Sequence, residues 1–378
     1  MPAPGRPWIT ANQVTLARLI PMPLLSWLIY KGGETGYKDN PYMWSALIAG
    51  IILGCTDWVD GMLARKYGPT VLGGLLDPIA DKVFVAFAYM PFASLGLVPA
   101  WACALMFVRE FFVTALRSAY EQRDLTLKTS YLAKAKTWTQ MQGIGVMLLF
   151  PLVDNPHVIL PIMIVGTALP LVAMLGLWVA KKKFWRGAIW MSASVGAILA
   201  LYAWDDDAML SVRMIMIGVV GITWLSGFDY VMIGWRELRG RADFSRSDFV
   251  RIVGSLTVPS LVFAVLVETP CAVWPLFAIL SLELSVGGLD NLLSHHKRAT
   301  KALAWGGRVL GISALLGAAL LLPAYATWFA IAAAVASVIG VSAEFWRGRD
   351  YFMDKRIRDK ALRDASAPVV APMAPPSD

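Results

Sequence analysis

The most informative segment of the chain covers residues 57–82. It reads Asp57-Trp-Val-Asp60-Gly61-Met-Leu-Ala64-Arg65 and, after seven residues, Gly73-Gly-Leu-Leu-Asp77-Pro-Ile-Ala-Asp81-Lys82. These carboxylates stand at the ends of two apolar segments. With about 3.6 residues per helical turn, residues three or four apart share a helix face, so each segment presents its aspartates on one side. A short connection then lets the two faces converge.

The composition of the whole chain places this stretch in a membrane. Of 378 residues, 57% are hydrophobic and 16% are charged, and the mean hydropathy is +0.59. One soluble core does not use so much apolar material. Windows of about 20 apolar residues, enough to cross a hydrocarbon core about 30 Å thick, recur along the chain. We predict an all-α polytopic membrane helix bundle with these transmembrane helices: 13–31, 42–64, 77–96, 98–120, 133–152, 157–181, 184–204, 208–234, 248–267, 270–293, 301–322 and 324–346.

The charges between these segments predict their orientation. Basic residues gather in alternate connections, such as 181–183 and 236–251, whereas the acidic run 205–207 lies in one of the others. Cytoplasmic loops are rich in lysine and arginine, so both termini are expected in the cytoplasm, with the protein in the plasma (inner) membrane. The net charge of +8 is spread between the segments. It therefore favours anionic lipids and phosphate-bearing substrates over nucleic acid as partners.

The clustered aspartates predict a metal site. A charged side chain at the centre of a membrane helix costs about 2.5–3.5 kcal/mol on insertion scales, and neighbouring carboxylates also repel one another, so a cation must compensate. Oxygen ligands without nearby histidine or cysteine suit Mg²⁺ or Mn²⁺, which share their coordination with substrate phosphates. The predicted metal ligands are Asp57, Asp60, Asp77 and Asp81. Asp77, which precedes Pro78, could also be an ordinary helix N-cap.

The pattern D-x-x-D-G-x-x-A-R, seven residues, then G-x-x-x-D-x-x-x-D resembles the motif of the CDP-alcohol phosphatidyltransferase family. No fixed position is substituted in this chain. The resemblance implies a CDP-alcohol phosphotransferase-like core, in which metal held by the aspartates bridges the CDP pyrophosphate and Asp81 is the catalytic base. The other motif residues would bind CDP, namely Gly61, Ala64, Arg65 and Gly73.

A second polar group follows in the next two predicted helices. Arg109 is costly inside a membrane helix unless it pairs, with Glu110 for example, or binds a phosphate. For Arg117, Lys134 and Lys136, each taken alone, an ordinary position on the cytoplasmic side is the favoured interpretation.

This second group extends the resemblance to the glycerophosphate-using branch of the family. Arg-Glu at 109–110, followed by Leu-Arg at 116–117 and K-x-K-T-x-x-Q-M at 134–141, matches that branch, as does N-x-x-T-x-x-R at 12–18. Ala133 stands where those enzymes usually have glycine. The resemblance implies that the phosphate of glycerol 3-phosphate is held by Arg109, Arg117, Lys134 and Lys136.

The expected function is transfer of a phosphatidyl group from CDP-diacylglycerol to glycerol 3-phosphate, giving phosphatidylglycerophosphate and CMP at the cytoplasmic face. Phosphatidylglycerol, inositol phosphate and serine are alternative acceptors. A cation transporter is a weaker hypothesis, because the aspartates lie at helix ends, whereas transport sites lie near the bilayer centre. A noncatalytic lipid-binding scaffold would not need Asp81.

The predicted domains are a phosphatidyltransferase membrane domain at 1–240 with its core motif region at 9–150, an additional membrane domain at 241–346, and a disordered cytoplasmic tail at 347–378. Residues 223–230 resemble the closing helix of the family, which would place two inserted helices before it; alternatively, the core ends near residue 183. In the second half, we expect Glu283 and Arg308 to form a structural ion pair or to face water. Self-association as a homodimer stays open.

Overall fold

The computed structural model describes residues 11–67, 71–123, 131–205, 207–238, 245–295 and 302–353. The regular secondary structure in these ranges is helical, with turns between the helices, which confirms the predicted all-α bundle. The 3-10 helix Pro323–Tyr325 precedes the last helix. The α-helices are α1 (Ala11–Leu19), α2 (Met22–Thr35), α3 (Pro41–Tyr67), α4 (Val71–Ser94), α5 (Ala100–Glu121), α6 (Tyr131–Val153), α7 (Pro156–Lys181), α8 (Arg186–Asp205), α9 (Ala208–Leu238), α10 (Arg246–Glu268), α11 (Val273–His295), α12 (Ala302–Leu321) and α13 (Ala326–Met353).

Each predicted transmembrane segment coincides with a helix, except that the first is divided between α1 and α2. The division falls at Pro21, with a second proline early in α2. Proline has no backbone N–H to donate and its ring crowds the preceding turn, so a continuous helix through this point is disfavoured. The last helix, α13, continues to Met353, past the predicted end at residue 346.

Within the described ranges, seven helices are long and apolar enough to cross a membrane by length and composition. Charged residues inside α4 and α5, such as Asp81 and Arg109, set those helices apart from this group. Such residues are tolerated in a bilayer where they face the interior of a bundle. The seven spans are Pro41–Leu63, Pro156–Lys181, Arg186–Asp205, Ala208–Met232, Asp248–Glu268, Val273–Ser294 and Pro323–Asp350.

The first helices pack around α4. Both α1 and α2 lie against α3 and α4, and α3 also packs against α6. The helix α9 packs against α5 and α6, whereas α7 and α8 pack mainly on each other. The α7–α8 hairpin is therefore inserted in the chain between α6 and α9, which pack against each other.

The later helices share one hydrophobic core with the earlier ones. The helix α10 lies against α5 and α12, and α11 lies against α4, α5 and α13. The rings of Phe87 and Phe277 stack with centroids 5.0 Å apart, and those of Phe107 and Phe263 with centroids 5.7 Å apart. Burial of these rings against each other fixes α10 and α11 beside α4 and α5.

Buried ion pairs join the same helices. The Arg251 guanidinium binds both carboxylate oxygens of Asp290 at 2.9 and 3.0 Å. Arg123, two residues after the end of α5, contacts Asp248 of α10 at 2.7 Å. The predicted ion pair in the second half is confirmed, with 3.3 Å between Arg308 Nη2 and Glu283 Oε2.

Candidate functional site

The short helix α1 positions two polar side chains against the aspartates of α4. The Thr15 hydroxyl donates to Asp77 Oδ1 at 2.9 Å, and Arg18 Nη2 donates to Asp81 Oδ1 at 3.0 Å. The Arg18 side chain is buried, whereas 36% of the Asp81 side chain is exposed. The opening pattern at 12–18 and the second aspartate pair, far apart in sequence, therefore meet in space.

The structure describes the two halves of the aspartate motif unequally. Residues 57–65 lie in the last turns of α3, and Gly73 lies near the start of α4. The side chains of Asp57, Asp60, Ala64 and Arg65, and the surroundings of Gly73, lie outside the described residues. The predicted convergence of the four carboxylates therefore stays a prediction.

The suggested N-cap role of Asp77 is wrong, because α4 begins at Val71 and contains Pro78 in its interior. A membrane helix tolerates an internal proline when neighbouring side chains and local adjustments satisfy the freed backbone groups. Asp77 and Asp81 consequently stand one turn apart on a continuous helix.

A polar cavity of ≈ 400 Å³ opens beside Asp81, between α4, α5, α6, α9 and α11. Its charged lining residues comprise four cations and two carboxylates, so the wall has a formal excess of positive charge. An anion, such as a phosphate, would compensate that excess. The charged residues are Asp81, Lys82, Arg109, Glu110, Arg117 and Lys136.

Glu110 lies at the centre of the cavity's hydrogen bonds. Its Oε1 accepts from Lys136 Nζ at 2.6 Å, and from Arg109 Nη1 and Gln140 Nε2 at 3.4 Å each. The buried Glu110 carboxylate therefore neutralises part of the positive charge of the cavity and holds Lys136 and Arg109 in position.

The helix α9 holds the two arginines of the cavity. Arg109 Nη2 donates to Ser226 Oγ at 2.7 Å. Arg117 Nη2 donates to the Tyr230 hydroxyl at 3.2 Å, and its guanidinium lies 5.6 Å from the centre of that ring. The segment 223–230, singled out in the sequence, thus contacts the site directly.

A second cavity, of ≈ 700 Å³, runs between α3 and α6 and is mainly apolar. Leu47, Ile51 and Leu148 are among its lining residues. We call this cavity the apolar groove. Among the described residues, its charged lining consists of Arg18, Asp81 and Lys134. Asp81 therefore lines both the apolar groove and the polar cavity.

The structure separates the two lysines that the sequence grouped together. Lys136 lines the polar cavity, whereas Lys134 lines the apolar groove. Successive helical residues turn by about 100°, so side chains two positions apart point to different sides of α6. Of the predicted acceptor residues, Arg109, Arg117 and Lys136 line the polar cavity together. Lys134 lines the apolar groove instead.

Sequence reasoning missed several residues of the polar cavity. Lys82 donates to the Thr114 hydroxyl at 2.5 Å, and α11 contributes Gly288, Asn291 and Leu292 to the wall. Lys82 follows Asp81 directly and is a charge inside an apolar segment, which is a usable signal. No motif marks Asn291.

The sequence was also compared with known families and proteins. The family model described as CDP-alcohol phosphatidyltransferase matches residues 8–179. A probable phosphatidylglycerophosphate synthase of Mycobacterium tuberculosis (strain H37Rv) is 34% identical over 186 residues, which is 49% of this chain and 86% of that protein. A CDP-diacylglycerol–glycerol-3-phosphate 3-phosphatidyltransferase of Bacillus subtilis (strain 168) is 36% identical over 156 residues, 38% of this chain and 81% of that protein. No solved structure matches the chain at a significant level.

The family match, together with the apolar helices, identifies an integral membrane enzyme that acts on phosphate-bearing substrates. The chain belongs to the CDP-alcohol phosphatidyltransferase family. The matched region ends within α7, so α8 to α13 lie beyond the family model.

Proposed function

We propose that the protein transfers the phosphatidyl group of CDP-diacylglycerol to glycerol 3-phosphate, releasing CMP and forming phosphatidylglycerophosphate. The observation that carries the proposal is the position of Asp81, in the wall of both the apolar groove and the polar cavity. A lipid in the groove and a soluble anion in the cavity can meet at one carboxylate. The relatives named above as synthases and transferases of this kind support the choice of substrates.

The donor set of the aspartate motif fits a hard divalent cation. Asp77 and Asp81 supply carboxylate oxygens from one face of α4, and the motif contains no sulfur or nitrogen ligand. Mg²⁺ or Mn²⁺ would be held by Asp57, Asp60, Asp77 and Asp81. When bound, the ion would neutralise the charge of the CDP pyrophosphate.

In the proposed reaction, the cations of the polar cavity bind the phosphate of the acceptor. Its primary hydroxyl attacks the phosphorus that bears the diacylglycerol, and Asp81 takes the hydroxyl proton. The new P–O bond replaces the one to the bridging oxygen, which leaves with CMP. Arg18 and Thr15 hold Asp81 and Asp77 in orientation through the contacts at 3.0 and 2.9 Å.

Binding of the two substrates is divided between the two cavities in this proposal. Arg109, Arg117, Lys136 and Lys82 serve the acceptor phosphate because they line the polar cavity. Lys134 serves the phosphates of the lipid substrate because it lines the apolar groove. The cytidine end would be bound by Gly61, Ala64, Arg65 and Gly73.

We place the active site and both termini in the cytoplasm and the protein in the plasma (inner) membrane, on the distribution of basic loops. Residues 1–240 would form the transferase domain, because α9 contacts both arginines of the cavity. Residues 241–346 would form the additional membrane domain and 347–378 the tail, whose first residues belong to α13 as far as Met353. Light scattering of the protein in detergent would test for a homodimer.

Purified protein in vesicles containing CDP-diacylglycerol tests the proposed reaction. With glycerol 3-phosphate and Mg²⁺ or Mn²⁺, we expect CMP to be released, chelation to stop the release, and added metal to restore it. Folded protein that releases no CMP with any alcohol acceptor would contradict the proposal. Flux of Mn²⁺ into vesicles without CDP-lipid would favour the transporter hypothesis instead.

A further inference from the structure

The helix α11 lies beyond the family model and yet forms part of the polar cavity. Two glycines allow its close approach to the helices of the site. A Cβ on Gly288 would lie 2.9 Å from the Ile79 side chain of α4, and one on Gly287 would lie 3.2 Å from the Thr114 side chain of α5. Larger residues at these positions would push α11 away from the cavity.

Buried contacts on both sides of Asn291 fix this part of α11. The preceding residue, Asp290, binds Arg251 through both carboxylate oxygens, and both side chains are about 1% exposed. Three residues further on, the Ser294 hydroxyl and the Gln122 amide hydrogen-bond at 3.1 Å. Asn291 is therefore presented to the cavity by a segment that is tied to α5 and α10.

The carbonyl oxygen of the Asn291 side chain is buried and has no hydrogen-bond partner among the described residues. By contrast, Lys136 and Arg117 of the same cavity bind Glu110 and Tyr230. Buried polar groups are usually paired, because removing them from water without a partner is costly. An amide oxygen accepts hydrogen bonds, so the missing partner is a donor such as a hydroxyl group.

We infer that Asn291 binds a hydroxyl of the acceptor other than the one that attacks, and so selects phosphorylated polyols. The inference rests on the proposed function, in which the cations hold the phosphate and Asp81 takes the proton of the attacking hydroxyl. A three-carbon polyol phosphate has one further hydroxyl, which needs an acceptor. Asn291 is a specificity-determining residue that the second half of the chain supplies to the site.

The decisive comparison is between glycerol 3-phosphate and 3-hydroxypropyl phosphate, which lacks only the middle hydroxyl. Wild type should prefer glycerol 3-phosphate by about tenfold in kcat/KM, the value of one hydrogen bond of ordinary strength. Asn291→Leu should lose most of this preference by raising the KM for glycerol 3-phosphate. Its kinetics with 3-hydroxypropyl phosphate and its KM for CDP-diacylglycerol should stay near those of wild type.

Ser285→Ala is the matched control, since Ser285 lies on the same helix, binds the Ser281 backbone carbonyl, and is absent from the lining of both cavities. It should keep the preference. If Asn291→Leu does not fold, Asn291→Ala, which adds no bulk, takes its place in the same assay.

A folded Asn291 variant with the wild-type preference overturns the inference. Equal losses with both acceptors also overturn it, because they indicate a packing role. The same holds if wild type accepts both compounds equally well. Failure of the proposed function gives a different result, because wild type would then release CMP with neither acceptor. That result would contradict both the proposed function and the inference.

Discussion

Two sets of buried and half-buried charges in this protein look alike in sequence and differ in their surroundings. The cavity set, Lys82, Arg109, Glu110, Arg117 and Lys136, lines a space of ≈ 400 Å³ and has more positive than negative members. The anchor set comprises Asp248, Arg251, Glu283, Asp290 and Arg308, and three of its members line a space of only ≈ 30 Å³. A space of that size holds a water molecule or two.

In this protein, charges line a candidate binding site where they face open volume with an excess of one sign. In the anchor set, opposite charges pair with each other across helices, as Arg251 does with Asp290. Such pairs fix the relative position of α5, α10 and α11. In the cavity set, the cations outnumber the carboxylates, so an anionic ligand would balance the charge.

The largest effect should come from the carboxylate beside the cavity set. Asp81→Asn removes the proposed base and leaves the shape unchanged, so kcat for CMP release should fall by about 10²–10⁴-fold. The thermal midpoint should change little. Asp154→Asn is the control, because its side chain is 56% exposed and outside both cavities. Near wild-type turnover in Asp81→Asn would remove Asp81 from the chemistry.

In the anchor set, a substitution should lower the stability of the protein. Asp290→Ala leaves the Arg251 guanidinium without its bidentate partner, which should lower the free energy of unfolding by about 3–5 kcal/mol. Thermal unfolding in detergent measures the change. Asp205→Ala, at an exposed position at the end of α8, should have little effect. Equal stability of the two variants would show that the pair does not anchor α11.

The two lysines of α6 should separate the two cavities. Lys136→Ala removes a cation that contacts Glu110 at 2.6 Å, so the KM for glycerol 3-phosphate should rise by about 10- to 100-fold. Lys134→Ala should raise the KM for CDP-diacylglycerol instead. Steady-state kinetics with each substrate varied in turn makes the comparison. A rise in the glycerol 3-phosphate KM of similar size in both variants would contradict the division.

The smallest effect concerns α9. Ser226→Ala removes the hydroxyl that binds Arg109 at 2.7 Å and should raise the KM for glycerol 3-phosphate by about three- to tenfold. Thr223→Val is the control on the same helix, since the buried Thr223 hydroxyl has no hydrogen-bond partner among the described residues. If both variants behave like wild type, α9 does not support the acceptor site.

The sequence predicted the helices well, because continuous apolar segments of this length have few alternatives in a membrane. It missed the break near Pro21. The apolar pattern continues through this point, but proline interrupts the helical hydrogen bonds of the backbone. It also placed the start of a helix at Asp77, because a proline after an aspartate resembles a capped start. In the structure that helix begins at Val71.

The site could be predicted only where a local pattern marks it. Asp81, Arg109 and Lys136 belong to short motifs, and the structure brings all three to one cavity. The separate position of Lys134 follows from helical geometry and was missed because the two lysines were treated as one group. Asn291 reaches the cavity through contacts between helices distant in sequence, and no local pattern encodes such contacts.

A competition experiment tests both the reaction and the choice of acceptor. Purified protein in vesicles containing CDP-diacylglycerol and Mg²⁺ receives equal concentrations of glycerol 3-phosphate, inositol phosphate and serine, with phosphatidylglycerol in the membrane, and the lipid products are measured by mass spectrometry. Our account predicts that phosphatidylglycerophosphate is the main product and that CMP forms in equal amount. A different main lipid would contradict the proposed acceptor, and the absence of any new lipid would contradict the proposed reaction.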